Sequence, residues 1–95
     1  MDYKITDRLN FGEFMNSTNL ESGVTISSTQ DLGKLLKQVR KSSRINQATI
    51  AGLANWGGRF IGDVESGKPT VRAQMLFDLI GWLGLEIVIR KKGSQ

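Results

Sequence analysis

Cysteine and histidine are both absent from the 95 residues. That removes the thiol nucleophile, the imidazole base and the common zinc ligands together. An enzyme made from this chain would have to work with carboxylates, lysine or serine alone. The sequence sets out no nucleophile–base pair and no phosphate-cradling loop. No catalytic residue, metal or cofactor is therefore expected. The chemistry that remains is recognition. Arg59 offers a planar fork of donors, and Asp63 places an acceptor one helical turn further on. Ser66 and Lys68 follow closely.

Charge sharpens this reading. The chain has 13 lysines and arginines against 9 acidic residues, unevenly spread. Residues 1–27 sum to −2 and residues 28–95 to +6. A basic module suits a polyanionic partner, although a solvated basic surface gives the same count. The first ten residues lack the basic-then-apolar pattern of a signal peptide, and no apolar run is long enough to cross a bilayer. A cytoplasmic protein without membrane contact is expected.

The elements that must position these residues can be read from periodicity. Residues 1–27 hold Phe11, Phe14 and Met15 without a sustained period and read as an N-terminal arm, partly flexible, that either orders on another protein or stays a tail. From Ser28 the pattern becomes regular. Ser28 and Asp31 have capping-box spacing, and Leu32, Leu35, Leu36 and Val39 form an amphipathic stripe that predicts a helix from about Thr29 to Ser42. Lys34, Lys37, Arg40 and Lys41 fall mostly off the stripe. Asn46 is a suitable cap for a short second helix over 47–54 that buries Ile50, Leu53 and Ala54. Asn55 stands where a sharp turn needs a left-handed residue.

Gly57 and Gly58 open a third helix with Phe60, Ile61 and Val64 as its apolar positions, closed by Ser66-Gly67-Lys68-Pro69. Thr70 can cap a fourth helix whose stripe is Leu76, Leu79, Ile80 and Leu83, widened by Met75, Phe77 and Trp82. Trp82 fits the core or an interface equally. Gly84 is a natural stop. Leu85, Ile87 and Ile89 alternate along 85–90, which reads as a lone strand. A lone strand cannot satisfy its own backbone, and pairing with its copy in a second subunit would do so, giving a two-fold homodimer. Residues 91–95 read as a tail. The expected fold is mainly α: four to five helices over 28–84, with one C-terminal strand pairing across a dimer.

Two short helices joined by the tight turn Ala54-Asn55-Trp56-Gly57 have the layout of a helix-turn-helix. Any small bundle of short helices shares that layout. The residues go further. Gln47, Ile50-Ala51, Ala54-x-x-Gly57, Phe60-Ile61 and Glu65-x-Gly67-Lys68 together resemble the phage-repressor and Cro type, or XRE, family over about residues 30–84. Arg59-Phe60-Ile61, the run from Glu65 to Arg72, and Leu83-Gly84-Leu85-Glu86 entering a strand resemble the HipB-type antitoxins.

That resemblance implies a dimer that represses its own operon and binds a HipA-like kinase toxin, in some systems with a third small protein. It implies double-stranded operator DNA as partner. Gln47 would hold a phosphate at a helix start, with Thr49 reaching the backbone beside it. Arg59 would contact a base, the competing readings being a phosphate contact or a free surface arginine. Asp63 would accept from cytosine N4 or, as the favoured reading, steady Arg59 through an i,i+4 pair. Ser66 and Lys68 would reach phosphates, or Lys68 would be solvated. Glu65 matches a structural position. Gly57 matches the turn. Gly58 stands where the family carries a longer polar side chain, which shifts weight onto Arg59. Two other functions fit the same residues: a stand-alone or phage-type repressor without a toxin, and an interaction module that has lost DNA binding.

Overall fold

A computed structural model describes residues 23–93. The apolar residues of the N-terminal arm, Phe11, Phe14 and Met15, lie outside them, as do the last two residues. Residues 23–27 precede the first helix as an exposed, irregular stretch.

Four helices make up the regular structure of the described residues: α1 (Thr29–Ser42), α2 (Gln47–Ala54), α3 (Phe60–Glu65) and α4 (Ala73–Trp82). The first two begin where the caps demand. Ser28 Oγ accepts from the Asp31 amide at 3.0 Å, which satisfies one of the donors that every helix start leaves open. The reciprocal arm of the capping box lands one residue early, because Asp31 Oδ2 accepts from the Ser27 amide at 3.3 Å. Asn46 Oδ1 accepts from the Thr49 amide at 2.8 Å. The expected Thr70 cap is not used. Thr70 lies in the turn after Pro69, and α4 begins after Arg72, whose side chain makes no cap.

The helix ends share one device. In each, the amide of a left-handed residue bonds a carbonyl near the helix end, and the next amide reaches further back, the Schellman arrangement. Ile45 N–H donates to Arg40 O and Arg44 N–H to Lys41 O; Trp56 to Ala51 and Asn55 to Gly52; Lys68 to Asp63 and Gly67 to Val64; Leu85 to Ile80 and Gly84 to Gly81. The left-handed residues are Arg44 and Asn55, each with φ 60°, and Gly67 and Gly84, with φ 87° and 79°. Asn55 and Gly84 do what their sequence positions require. Arg44 adopts the same conformation without the help of a small or amide side chain.

The core draws on every helix: Leu36 from α1, Ile50 and Ala51 from α2, Ile61 and Val64 from α3, Leu79 and Ile80 from α4. Trp56 and Phe60 close its edge, edge-to-face with ring centroids 5.2 Å apart. Two apolar expectations, Leu53 and Phe77, are corrected, and Trp82, left open between core and interface, is found half-exposed. Leu53 is 67% exposed, because the inward arc of α2 runs through Gln47, Ile50, Ala51 and Ala54 at helical spacing and Leu53 lies beyond its edge. Phe77 and Trp82 are 53% and 50% exposed, flanking the face of α4 that buries Leu79 and Ile80.

The strand over 85–90 is also not present. Residues 85–91 carry no regular hydrogen-bonded structure. A strand exists through its partner's hydrogen bonds, and among the described residues no second segment is paired to this one.

Candidate nucleic-acid interface

The pair α2–α3 is held by α1, which packs chiefly against α3, while α2 also packs on α3. The approach of α1 to α3 is close enough to require glycine. A Cβ on Gly33 would stand 2.4 Å from Val64 O and 2.8 Å from Glu65 O, so no other residue fits without moving a helix. Thr29 Oγ1 donates to Gly67 O at 2.7 Å and ties the same two helices at their ends.

A buried polar cluster fixes the angle between the elements. Arg40 of α1 is only 7% exposed. It binds Glu65 of α3 in a bidentate pair, Nε to Oε2 and Nη2 to Oε1, the latter at 3.0 Å. Its Nη1 donates to the Ile45 carbonyl at 2.8 Å, at the entry to α2. Gln47, the first residue of α2, donates from Nε2 to Glu65 Oε1 at 2.9 Å. One guanidinium and one carboxylate thus clamp α1, the start of α2 and the end of α3. The structural reading of Glu65 agrees with this geometry. The role of Arg40 was not anticipated from the sequence. Its signal was present: it lies four residues after Leu36 and eight after Leu32, on the stripe rather than off it.

The residues singled out for recognition fall into two groups. Gln47, Thr49, Ser66, Asp63 and Lys68 already have partners within the chain. Gln47 is half-buried and engaged with Glu65, and its amide nitrogen keeps a second hydrogen. The Thr49 hydroxyl donates to Asn46 Oδ1 at 2.9 Å, and the Ser66 hydroxyl donates to Asp63 O at 3.0 Å. Asp63 does not steady Arg59. It pairs instead with Lys68, Nζ to Oδ2 at 3.6 Å, because the Gly67 turn folds the chain back over the end of α3.

Gly57, Gly58 and Arg59 form the second group and are exposed. Arg59 precedes the first turn of α3 in right-handed backbone, and its side chain makes no cap bond. It has no ion-pair or hydrogen-bond partner among the described residues. A Cβ on Gly57 or on Gly58 would meet nothing within 4 Å, and neither has a positive φ. Packing does not explain either glycine. Together the three residues make a bare, cationic approach to α3. Of the eleven cations after residue 27, Arg40 alone is buried.

Two short helices joined through a left-handed Asn55, and fixed at one angle on a supporting helix, define a helix-turn-helix protein. No family model matches the sequence. Over 70 residues the chain is 37% identical to the HTH-type transcriptional regulator y4mF of Sinorhizobium fredii (strain NBRC 101917 / NGR234), an alignment covering 74% of this chain and 92% of that relative. The chain belongs to the HTH-type transcriptional regulators. Among the described residues no helix is long and apolar enough to cross a membrane.

Proposed function

We propose that this protein is a sequence-specific DNA-binding repressor that acts as a homodimer and regulates its own operon, the antitoxin partner of a HipA-like kinase. The observation that carries DNA recognition is the exposed Arg59 at the entry to α3, without a partner among the described residues, on a helix pair whose angle is locked from behind by Arg40, Glu65 and Gln47. A rigid mount matters, because bidentate readout of guanine needs the guanidinium placed within the hydrogen-bonding range of two base atoms.

Phosphate contacts supply most of the affinity in this reading. Lys68, Ser66, the second hydrogen of the Gln47 amide and the Thr49 side of α2 are their sources, with the exposed glycines letting the sugar–phosphate backbone come close to the main chain. Two protomers place their α3 helices about 34 Å apart on successive turns of a palindromic operator. The segment 85–90 joins the protomers through Leu85, Ile87 and Ile89. Ile87 and Ile89 are solvent-exposed in the single chain, which supports a covered role.

The test is a gel shift of the purified protein on the DNA upstream of its own operon, at several salt concentrations. Sequence-specific retardation that weakens steeply with salt is expected. Equal binding to unrelated DNA would reject specific recognition. The antitoxin role rests on the resemblance of Arg59–Arg72 and Leu83–Glu86 to HipB-type antitoxins. Affinity purification from the native host checks it: a kinase-like protein copurifies if the role holds, and its absence favours a stand-alone repressor.

A further inference from the structure

The segment after α4 is short, exposed and patterned in both polarity and charge. Ile87, Val88 and Ile89 expose 48%, 66% and 91% of their surface. Glu86 and Arg90 bracket them, four residues apart, and neither has an ion-pair or hydrogen-bond partner among the described residues. The Arg90 guanidinium rests beside Gly23, near enough to lie 3.1 Å from a Cβ built there, and no counter-charge meets it among the described residues.

We infer that a second copy of this segment covers it as an antiparallel strand in a register centred on Val88, with Glu86 of each copy paired to Arg90 of the other. This inference rests on the proposed homodimer and specifies its contacts. Directly opposed residues of an antiparallel pair share a face. Centring on Val88 opposes Ile87 to Ile89, Val88 to Val88 and Glu86 to Arg90. Both isoleucine pairs then share one face, and both ion pairs the other.

The neighbouring registers fail on the same residues. A shift that opposes Ile87 to Val88 mixes the two faces and sets Glu86 against Ile89. Centring on Ile87 sets Glu86 against Val88 and Arg90 against Gly84, leaving four charges without partners. Centring on Ile89 sets Ile87 against Lys91 and Val88 against Arg90. Only the Val88 register pairs the isoleucines with each other on one face and opposite charges on the other. A segment complementary to itself in this way fits one occupant, its own copy related by a two-fold axis.

The prediction is a charge-swap experiment on the full chain, read by sedimentation equilibrium with circular dichroism to confirm that each variant stays helical. Glu86→Arg sets two guanidinium groups against each other at both ends of the paired segment, and Arg90→Glu sets two carboxylates there. Each variant alone is expected to dimerise about tenfold or more weakly than the wild type. In an equimolar mixture of the two, a heterodimer opposes an arginine to a glutamate at both ends of the pairing and is expected to form about as tightly as the wild-type dimer. The double variant carrying both Glu86→Arg and Arg90→Glu reverses every pair and is expected to regain wild-type dimerisation. If each single variant dimerises as the wild type does, or if the double variant gives no recovery, the register is wrong while the dimer stands. A wild-type chain that sediments as a monomer at all concentrations overturns the register and the dimer together.

Discussion

Arg59 ends in solvent with no partner among the described residues, one residue before a helix whose inward side chains, Ile61 and Val64, are buried. Removing its guanidinium should therefore leave the fold alone and fall wholly on recognition. Arg59→Ala is expected to weaken operator binding by about 1–3 kcal/mol and to relax the sequence preference at one base pair of each half-site, measured by anisotropy titration against operators varied one position at a time. Gly58 gives the converse. Its backbone needs no glycine and its surroundings are empty, so Gly58→Lys should keep the thermal midpoint and strengthen DNA binding through an added phosphate contact. A drop in midpoint would show that the space at residue 58 is needed by the fold. Residue identity was the more legible part of the site. Arg59 stands out by its type and place and is exposed, but the partner of Asp63 could not be read, since Lys68 reaches it only through the left-handed turn at Gly67.

Between elements, the clamp formed by Arg40, Glu65 and Gln47 governs how α2 and α3 face a partner. Both members of the ion pair are buried, so replacing the carboxylate leaves a cation without compensation in a low-dielectric site. Glu65→Gln is expected to cost about 3–5 kcal/mol of stability, seen as a large fall in the urea midpoint. Gly33→Ala tests the other support. Its methyl would collide with the Val64 carbonyl, and a loss of about 1–3 kcal/mol is expected. The helices and their caps were readable because Ser28, Asn46, Asn55 and Gly84 act on backbone groups within a few residues. The clamp was not readable with the same ease. Arg40 and Glu65 are 25 residues apart, and a charged side chain on a helix is ordinarily assigned to solvent. Leu53 misled in the opposite sense: a leucine suggests burial, yet Gln47 holds the inward position on α2 that completes the clamp. The segment 85–90 shows alternation in the sequence, but a strand needs a second strand, and alternation does not say from which molecule it comes.

For the whole molecule, the small core and the exposed apolar residues at both flanks of α4 and along 87–89 point the same way. A domain of this size gains little from burial alone. If association covers the C-terminal segment, the thermal midpoint must rise with protein concentration, a dependence that a monomer cannot show. The basic surface adds a second global property. Lys68→Ala should weaken binding to all sequences alike and reduce the slope of log affinity against log salt by about one. The shared helix joints carry a further consequence. Arg44, Asn55, Gly67 and Gly84 set the path of the chain from within its backbone, and the side chains at 57–59 are not called on to hold it. If Arg59 and its neighbours read the operator as proposed, exchanging them changes the target sequence while the helix joints stay as they are, which operator selection with variants at 57–59 would show.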